Sequence, residues 1–423
     1  MRILFKNAKI LDLENGVFMN GAVEIENEII TNVGKFNLSP NYDREIDCLG
    51  NILMPGFVNT HCHTPMTLLR SFKDDATLNE WLFDNILPAE GKLSPSDVYW
   101  GQYLGIMESV RAGITTFEEG YFHNPAVCKA IEKSGIRARI GLGPAMRKMN
   151  ITNIEYMGNE AKIIKNNSLI KPVCFVHSIY TINQQAIEES IEFTNQANMP
   201  LSIHLAETEK EVLDCKKERN KTPVEYLNEL GFFNKQCLCY HSIHLNDSDI
   251  NILKEKNVSV TTCPSSNIKL ASGIAPIYEL QQKGINITIG TDGVASNNSL
   301  DMFKEMFLVA TLSKVSINRT DVVSALDVLK MATINGAKAL GFNSGEIKTG
   351  KQADIILIDI NQPHYYPQDD LISHLVYAGK SSDVYLTMVN GKILYENGKY
   401  NIGETPTDIY NNCNEIRKKL KNS

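Results

Sequence analysis

The middle of this chain repeats one unit, a short apolar run followed by a helix-length amphipathic stretch, and the unit occurs eight times. Apolar runs of strand length read as strands buried on both faces, and their alternation with helices argues for parallel strands joined by crossovers. The predicted strands end near His61, Phe117, Leu142, His177, His204, His241, Cys263 and Thr291. Helices are expected between them, for example Ser96 to Arg111, Gln184 to Ala197, Thr222 to Leu230 and Leu300 to Ser313. Eight such units are what a closed (β/α)8 barrel of the TIM type requires.

The two ends follow a different grammar. Arg2 to Phe5, Ala22 to Ile25 and Glu28 to Val33 read as short strands, with Asn-Gly pairs at 15–16 and 20–21 between them. Ala353 to Ile358 and Val384 to Val389 repeat the pattern, followed by Asn390-Gly391 and Asn397-Gly398. Asn-Gly marks hairpins because both residues tolerate positive φ. Residues 1–53 and 346–423 are therefore expected to form one small composite β-sandwich domain, with residues 54–345 as the barrel. A length of 423 residues suits a large barrel plus a smaller attached unit.

Composition removes several function classes. The net charge is −7 with both signs mixed along the chain, so there is no basic stripe for nucleic acid. The opening MRILFKNAKILDLENG carries charge and a turn signal, unlike a secretory leader, and no segment approaches the ~18–20 apolar residues of a membrane span. Nine scattered cysteines, several in β-like runs (Cys174, Cys237, Cys239), read as reduced core thiols in a cytoplasmic protein.

The chemistry gathers at the strand ends. His61-Cys62-His63 closes a long apolar run, and on an extended strand residues i and i+2 face the same side, so both imidazoles reach one metal. Five of the nine histidines (His61, His63, His177, His204, His241) fall at C-terminal ends of predicted barrel strands, the face where barrel enzymes collect catalytic groups. Glu207 follows His204 by three residues, a placement that suits a general acid/base over a bound water better than the plainer alternative of a helix-initiating glutamate. Asp292 ends the eighth strand. Alone it would cap the helix starting near Leu300, but as the fourth member of a strand-end set it completes a site of His61, His63, His204 and Asp292 for one divalent ion. Such an N/O site accepts zinc or iron(II), zinc being the expected ion.

Pro55 to His63, His204-Leu205-Ala206-Glu207, His241 and Gly290 to Asn298 together resemble the motifs of the amidohydrolase superfamily, and within it the branch of 5-methylthioadenosine/S-adenosylhomocysteine deaminases and related chlorohydrolases. The likeness covers nearly the whole chain. It implies hydrolytic deamination of an adenine nucleoside, with Asp292 taking the proton of the attacking water and Glu207 protonating the ring nitrogen. It implies one metal, because the fourth strand ends in His177 and not in the lysine or glutamate that bridges two ions. His241 is implied to hydrogen-bond the attacking water and the oxygen of the intermediate. Glu90 matches a glutamate that grips ribose hydroxyls, Trp81 a wall for the thioether side, His177 a contact to adenine or sugar, and Ser296 a residue near the pocket. The relatives carry arginines after the third strand for the distal part of the substrate. Here Gly141 to Met149 offers Arg147 alone, so the resemblance favours methylthioadenosine or adenosine over S-adenosylhomocysteine. Related enzymes imply a dimer or tetramer. The rival readings are a guanine or other aromatic-amine deaminase, a triazine-type chlorohydrolase, and a metal-free interaction protein like the dihydropyrimidinase-related proteins.

Overall fold

The computed structural model describes residues 1–37, 41–144, 152–164 and 169–422. Eight parallel strands form the central layer: β1 (Phe57–His63), β2 (Ile114–Glu119), β3 (Arg137–Leu142), β4 (Ile170–Val176), β5 (Leu201–Leu205), β6 (Cys237–His241), β7 (Ser259–Thr262) and β8 (Asn286–Ile289). Each pairs in parallel with its successor. Every residue of β1, β2, β3, β5 and β6 is buried, as a parallel sheet covered by helices requires.

The chain closes this sheet on itself just past β8. Gly290 N–H still donates to Thr262 on β7 at 2.9 Å, and Thr291 N–H donates to His61 on β1 at 3.1 Å. Asp292 and Gly293 then register beside Cys62 and His63. A Cβ at Gly290 would lie 2.9 Å from the His61 Cβ, so glycine is needed where the last strand crosses to the first.

The expected helices are present and their ends are chemically marked. Pro95–Arg111 starts on a Ser94/Asp97 capping box, Gln184–Ala197 on Asn183 and Pro223–Glu229 on Thr222. The last expected helix runs Met302–Ile317, beginning two residues late because Asp301 takes the N–H groups of Phe303 and Lys304. A helix that patterning missed, Pro406–Asn422, buries Ile409, Cys413, Ile416 and Leu420, and Arg417 Nη1 donates to the Leu68 carbonyl at 3.0 Å.

Both chain ends meet in a second sheet. Ile355–Ile358 runs antiparallel to Ile52–Pro55, joining the N-terminal strands Arg2–Asp12, Val17–Glu26 and Ile29–Gly34 to the C-terminal strands Val384–Val389, Lys392–Glu396 and Lys399–Tyr400. Its own core includes Phe5, Ile10, Val23, Leu357 and Met388. Asn390-Gly391 and Asn397-Gly398 form turns with positive φ at both residues. Asn20-Gly21 corrects the sequence reading: it lies inside Val17–Glu26, paired with Lys9 and Ala8. Gly21 is there for close approach, since a Cβ would sit 2.7 Å from the Gly34 carbonyl oxygen. A buried ion pair ties this sheet to the barrel. Arg137 Nε meets Asp354 Oδ2 at 2.7 Å, and Asp354 Oδ1 also takes the Asn390 N–H at 2.8 Å.

Among the described residues no helix is long and apolar enough to cross a membrane. The nine cysteines are free and buried.

Candidate active site

The extended backbone of β1 turns His61 and His63 to one side, β5 delivers His204, and the closing turn after β8 delivers Asp292. One donor atom from each lies within 4.8 Å of all the others, and all four residues are buried. His61 Nε2 is 3.3 Å and His63 Nε2 3.5 Å from Asp292 Oδ1, and His204 Nε2 is 3.1 Å from His61 Nε2.

The outer face of the cluster fixes which nitrogens are free. His63 Nδ1 donates to the Gly120 carbonyl at 2.5 Å and His204 Nδ1 to the His177 carbonyl at 2.7 Å, since a carbonyl only accepts. In the neutral rings the Nε2 lone pairs therefore face inward. Burial pushes the His61 imidazole down to about 3, lowers His63, and takes His204 well below the usual histidine range, so the rings are neutral and fit to ligate. Three lone pairs and a carboxylate oxygen converging this closely repel one another unless a cation sits among them. The residues therefore fit a single divalent ion.

Asp292 turns its other oxygen to two serines. Oδ2 accepts from the Ser266 hydroxyl and, at 3.0 Å, from Ser296. Burial opposes ionisation of Asp292, but the neighbouring imidazoles, His61 first and then His241 and His63, hold its carboxyl well below the carboxylate range. Its backbone takes φ +60°, a conformation that costs of order 1–3 kcal/mol outside glycine and that clusters at functional sites. Sequence reasoning placed Ser296 near the pocket. It missed Ser266, which lies after β7 on the short helix Pro264–Lys269 and carried no motif.

Glu207 and His241 share the mouth. Glu207 Oε2 is 3.9 Å from His241 Nε2, and His241 Nδ1 donates to Asn267 Oδ1 at 2.8 Å. The His241 ring lies nearly parallel to that of His204, yet it is not among the four converging donors. Burial lowers the His241 imidazole, but the Glu207 and Asp292 carboxylates outweigh it and leave it raised, so it favours carrying a donor proton on Nε2. Burial, reinforced by Asp292, raises the Glu207 carboxyl, which suits a proton donor. Asn267 was not foreseen. Neither was Tyr240, whose ring stacks on His61 with centroids 3.8 Å apart and whose hydroxyl bonds Glu118 in the barrel interior.

Of the remaining candidates, His177 lies against the His204 ring and Glu90 is buried. Glu90 ends the short helix Leu87–Glu90, is buried, and has the Tyr121 hydroxyl beside it. Tyr121 directly follows Gly120, whose carbonyl holds His63. Burial pushes the Glu90 carboxyl up to about 7 against the opposing influence of the Tyr121 hydroxyl, and Oε1 has no hydrogen-bond partner. His177 lies 4.8 Å from the His204 ring, with Nδ1 held by Thr181 at 2.9 Å and Ser178 at 3.2 Å. Trp81 is buried in the π-helical stretch Glu80–Ile86, and its indole N–H has no partner. Arg147 lies outside the described residues.

Comparison with known proteins agrees with this geometry. Residues 52–394 match the sequence model of the Amidohydrolase family. The chain is 40% identical over 431 residues to a 5-methylthioadenosine/S-adenosylhomocysteine deaminase of Thermoanaerobacter pseudethanolicus, covering 100% of this chain and 99% of that protein. It is 41% identical over 403 residues to a 5'-deoxyadenosine deaminase of Methanosarcina acetivorans, covering 93% of each. Among solved structures, an adenosine deaminase from Xanthomonas campestris with bound zinc superposes with a TM-score of 0.95 at 32% identity, covering 100% of this chain and 99% of that one.

Proposed function

The chain belongs to the amidohydrolase family, and from that footing we propose that it is a metal-dependent deaminase that hydrolyses the amino group from an adenine nucleoside, giving the inosine analogue and ammonia. The observation that carries this reading is the convergence of four ligand atoms at one strand-end mouth that also holds Glu207 and His241. Methylthioadenosine, adenosine and S-adenosylhomocysteine are the candidate substrates.

His61, His63, His204 and Asp292 would hold a divalent ion, zinc in this reading, which when bound would lower the pKa of water to ~7. Asp292, kept ionised by its serines and histidines, accepts the proton of the attacking water. Glu207, whose carboxyl burial raises, donates to the ring nitrogen next to the amino-bearing carbon. The His241 Nε2–H faces the oxygen as it gains charge, with Asn267 fixing the ring. Glu90 accepts from the ribose hydroxyls, since a carboxylate matches a vicinal diol. In this reading Trp81 walls the 5' substituent, His177 touches the base or sugar, Ser296 acts through Asp292, and Arg147 serves the tail.

The same reading takes residues 1–53 and 346–423 as a β-sandwich supporting the barrel at 54–345. It takes the enzyme as a cytoplasmic homo-oligomer, dimer or tetramer, consistent with its buried free thiols. The test is ammonia release from adenosine, methylthioadenosine, S-adenosylhomocysteine, guanine and cytosine by protein whose metal content has been measured. Release confined to adenine nucleosides, at about one metal per chain, is expected. A flat response across all five sinks the purine assignment.

A further inference from the structure

Among the described residues four α-helices begin on capping boxes, and in each the carboxylate three residues after the cap takes the N–H of the cap residue itself. Asp97 takes Ser94 N–H at 2.8 Å, Glu225 takes Thr222 at 2.8 Å, Asp249 takes Asn246 at 3.1 Å and Asp327 takes Ser324 at 3.1 Å. Glu211 stands at the same position after Thr208, whose hydroxyl takes the Glu211 N–H at 3.1 Å. Yet its carboxylate passes over its own cap. Oε1 takes the Ala206 N–H and Oε2 the Glu207 N–H, each at 2.9 Å.

The turn so held is strained and sits at the centre of the site. Ala206 has φ +48°, which a residue with a Cβ keeps only when its surroundings enforce it. Its carbonyl accepts from Ile243 at 3.1 Å and His244 at 3.0 Å, just beyond His241, while Leu205 accepts from Ser242 at 3.0 Å. One peptide unit is thus gripped from the Glu211 side through its N–H and from the His241 loop through its oxygen. We propose that Glu211 is a positioning residue for the deamination: its two oxygens clamp the Ala206-Glu207 turn and so aim the Glu207 carboxyl at the substrate ring beside His241. This rests on the deaminase reading above. Burying a second carboxylate next to Glu207, with no lysine or arginine bonded to it among the described residues, is costly, and helix capping alone does not require it.

Glu211→Asp separates the two roles. One methylene shorter, the aspartate reaches the Thr208 N–H as Asp97, Asp249 and Asp327 reach theirs, but it falls short of Ala206. Melting temperature, metal per chain and KM are expected to stay near wild type, while kcat falls roughly 10- to 100-fold, the scale of a misplaced catalytic group. In a Glu207→Gln background the same change is expected to cost nothing more, because its effect passes through Glu207. Glu211→Gln, which keeps the length and one acceptor, is expected to lose less, and Glu225→Gln, on an ordinary capping box, to leave kcat unchanged. The clamp is overturned if Glu211→Asp keeps kcat within twofold, loses metal in step with activity, or costs as much without Glu207 as with it. Wild-type protein inactive on every amino purine would overturn the deaminase reading, whereas an active wild type with an equally active Glu211→Asp overturns the clamp alone.

Discussion

Removing the Ser266 hydroxyl tests how far the metal centre depends on residues that touch no metal. Ser266 donates to Asp292 Oδ2, the oxygen turned away from the histidines, and both residues are buried. A hydrogen bond to a charged group is worth ~1.5–3 kcal/mol, and at ~1.4 kcal/mol per decade its loss should weaken metal binding roughly 10- to 100-fold. The general cost of deleting an outer partner of a ligand falls in the same ~10–100-fold range. Ser296 is the internal control. Each serine has one proton and two acceptors, but Ser266 lies closer to Asp292 Oδ2 than to its second acceptor, Ser296 Oγ, whereas Ser296 is 3.0 Å from both Oδ2 and the Gly293 carbonyl, so Ser296→Ala should cost less than Ser266→Ala. Competition for zinc against a chromophoric chelator measures both. The reasoning fails if Ser266→Ala binds zinc within twofold of wild type, or if Ser296→Ala proves the more damaging change.

Glu207→Gln keeps the shape of the side chain and removes its proton, so kcat should fall by ~10² or more with metal content unchanged; wild-type turnover at full metal occupancy would exclude the proton role. Asp354→Ala strands the buried Arg137 guanidinium and the Asn390 N–H, and urea unfolding should reveal a loss of ~3–5 kcal/mol. An unchanged midpoint would mean that pair does not join sheet to barrel. Glu90 carries a pH signature. Burial raises its carboxyl from 4.5 in the unfolded chain to about 7, so the folded state holds more protons between those values and loses stability as pH rises through them. Glu90→Gln removes that cost, ~3 kcal/mol at most above pH 7, and should raise the melting temperature there while raising KM for nucleosides; no pH-dependent gain would refute the buried-acid account. Chelation should abolish ammonia release and zinc should restore it, with irreversible loss arguing that the ion holds the fold instead.

How much of the site was legible depended on whether a residue's placement was local. His61 and His63 could be paired from parity on one strand, and His204, His241 and Asp292 from their positions at strand ends, because strand length and alternation are read within a few residues. The same local reading failed at Asn20-Gly21. A dipeptide typical of turns runs through the middle of a strand there because Gly34 packs against it. Ser266 and Asn267 left no trace in the sequence, being ordinary residues of a short helix whose partners Asp292 and His241 lie 26 residues away in either direction. Glu211 looked like one more acid on a charged helix face until its oxygens were seen on Ala206 and Glu207.

The sequence by itself determined the eight strand-and-helix units, the paired β-rich ends and the chemical identity of the ligand set, because periodicity and residue type are properties of the chain. Tertiary structure alone decided that Asp292 lies beside Cys62, 230 residues earlier, and that lone pairs from three strands meet within 4.8 Å. It also decided which serines, amides and carboxylates hold those groups in place. The reason is physical: a hydrogen bond between distant segments depends on how the barrel closes, and closure sums many weak contacts that no short stretch of sequence contains.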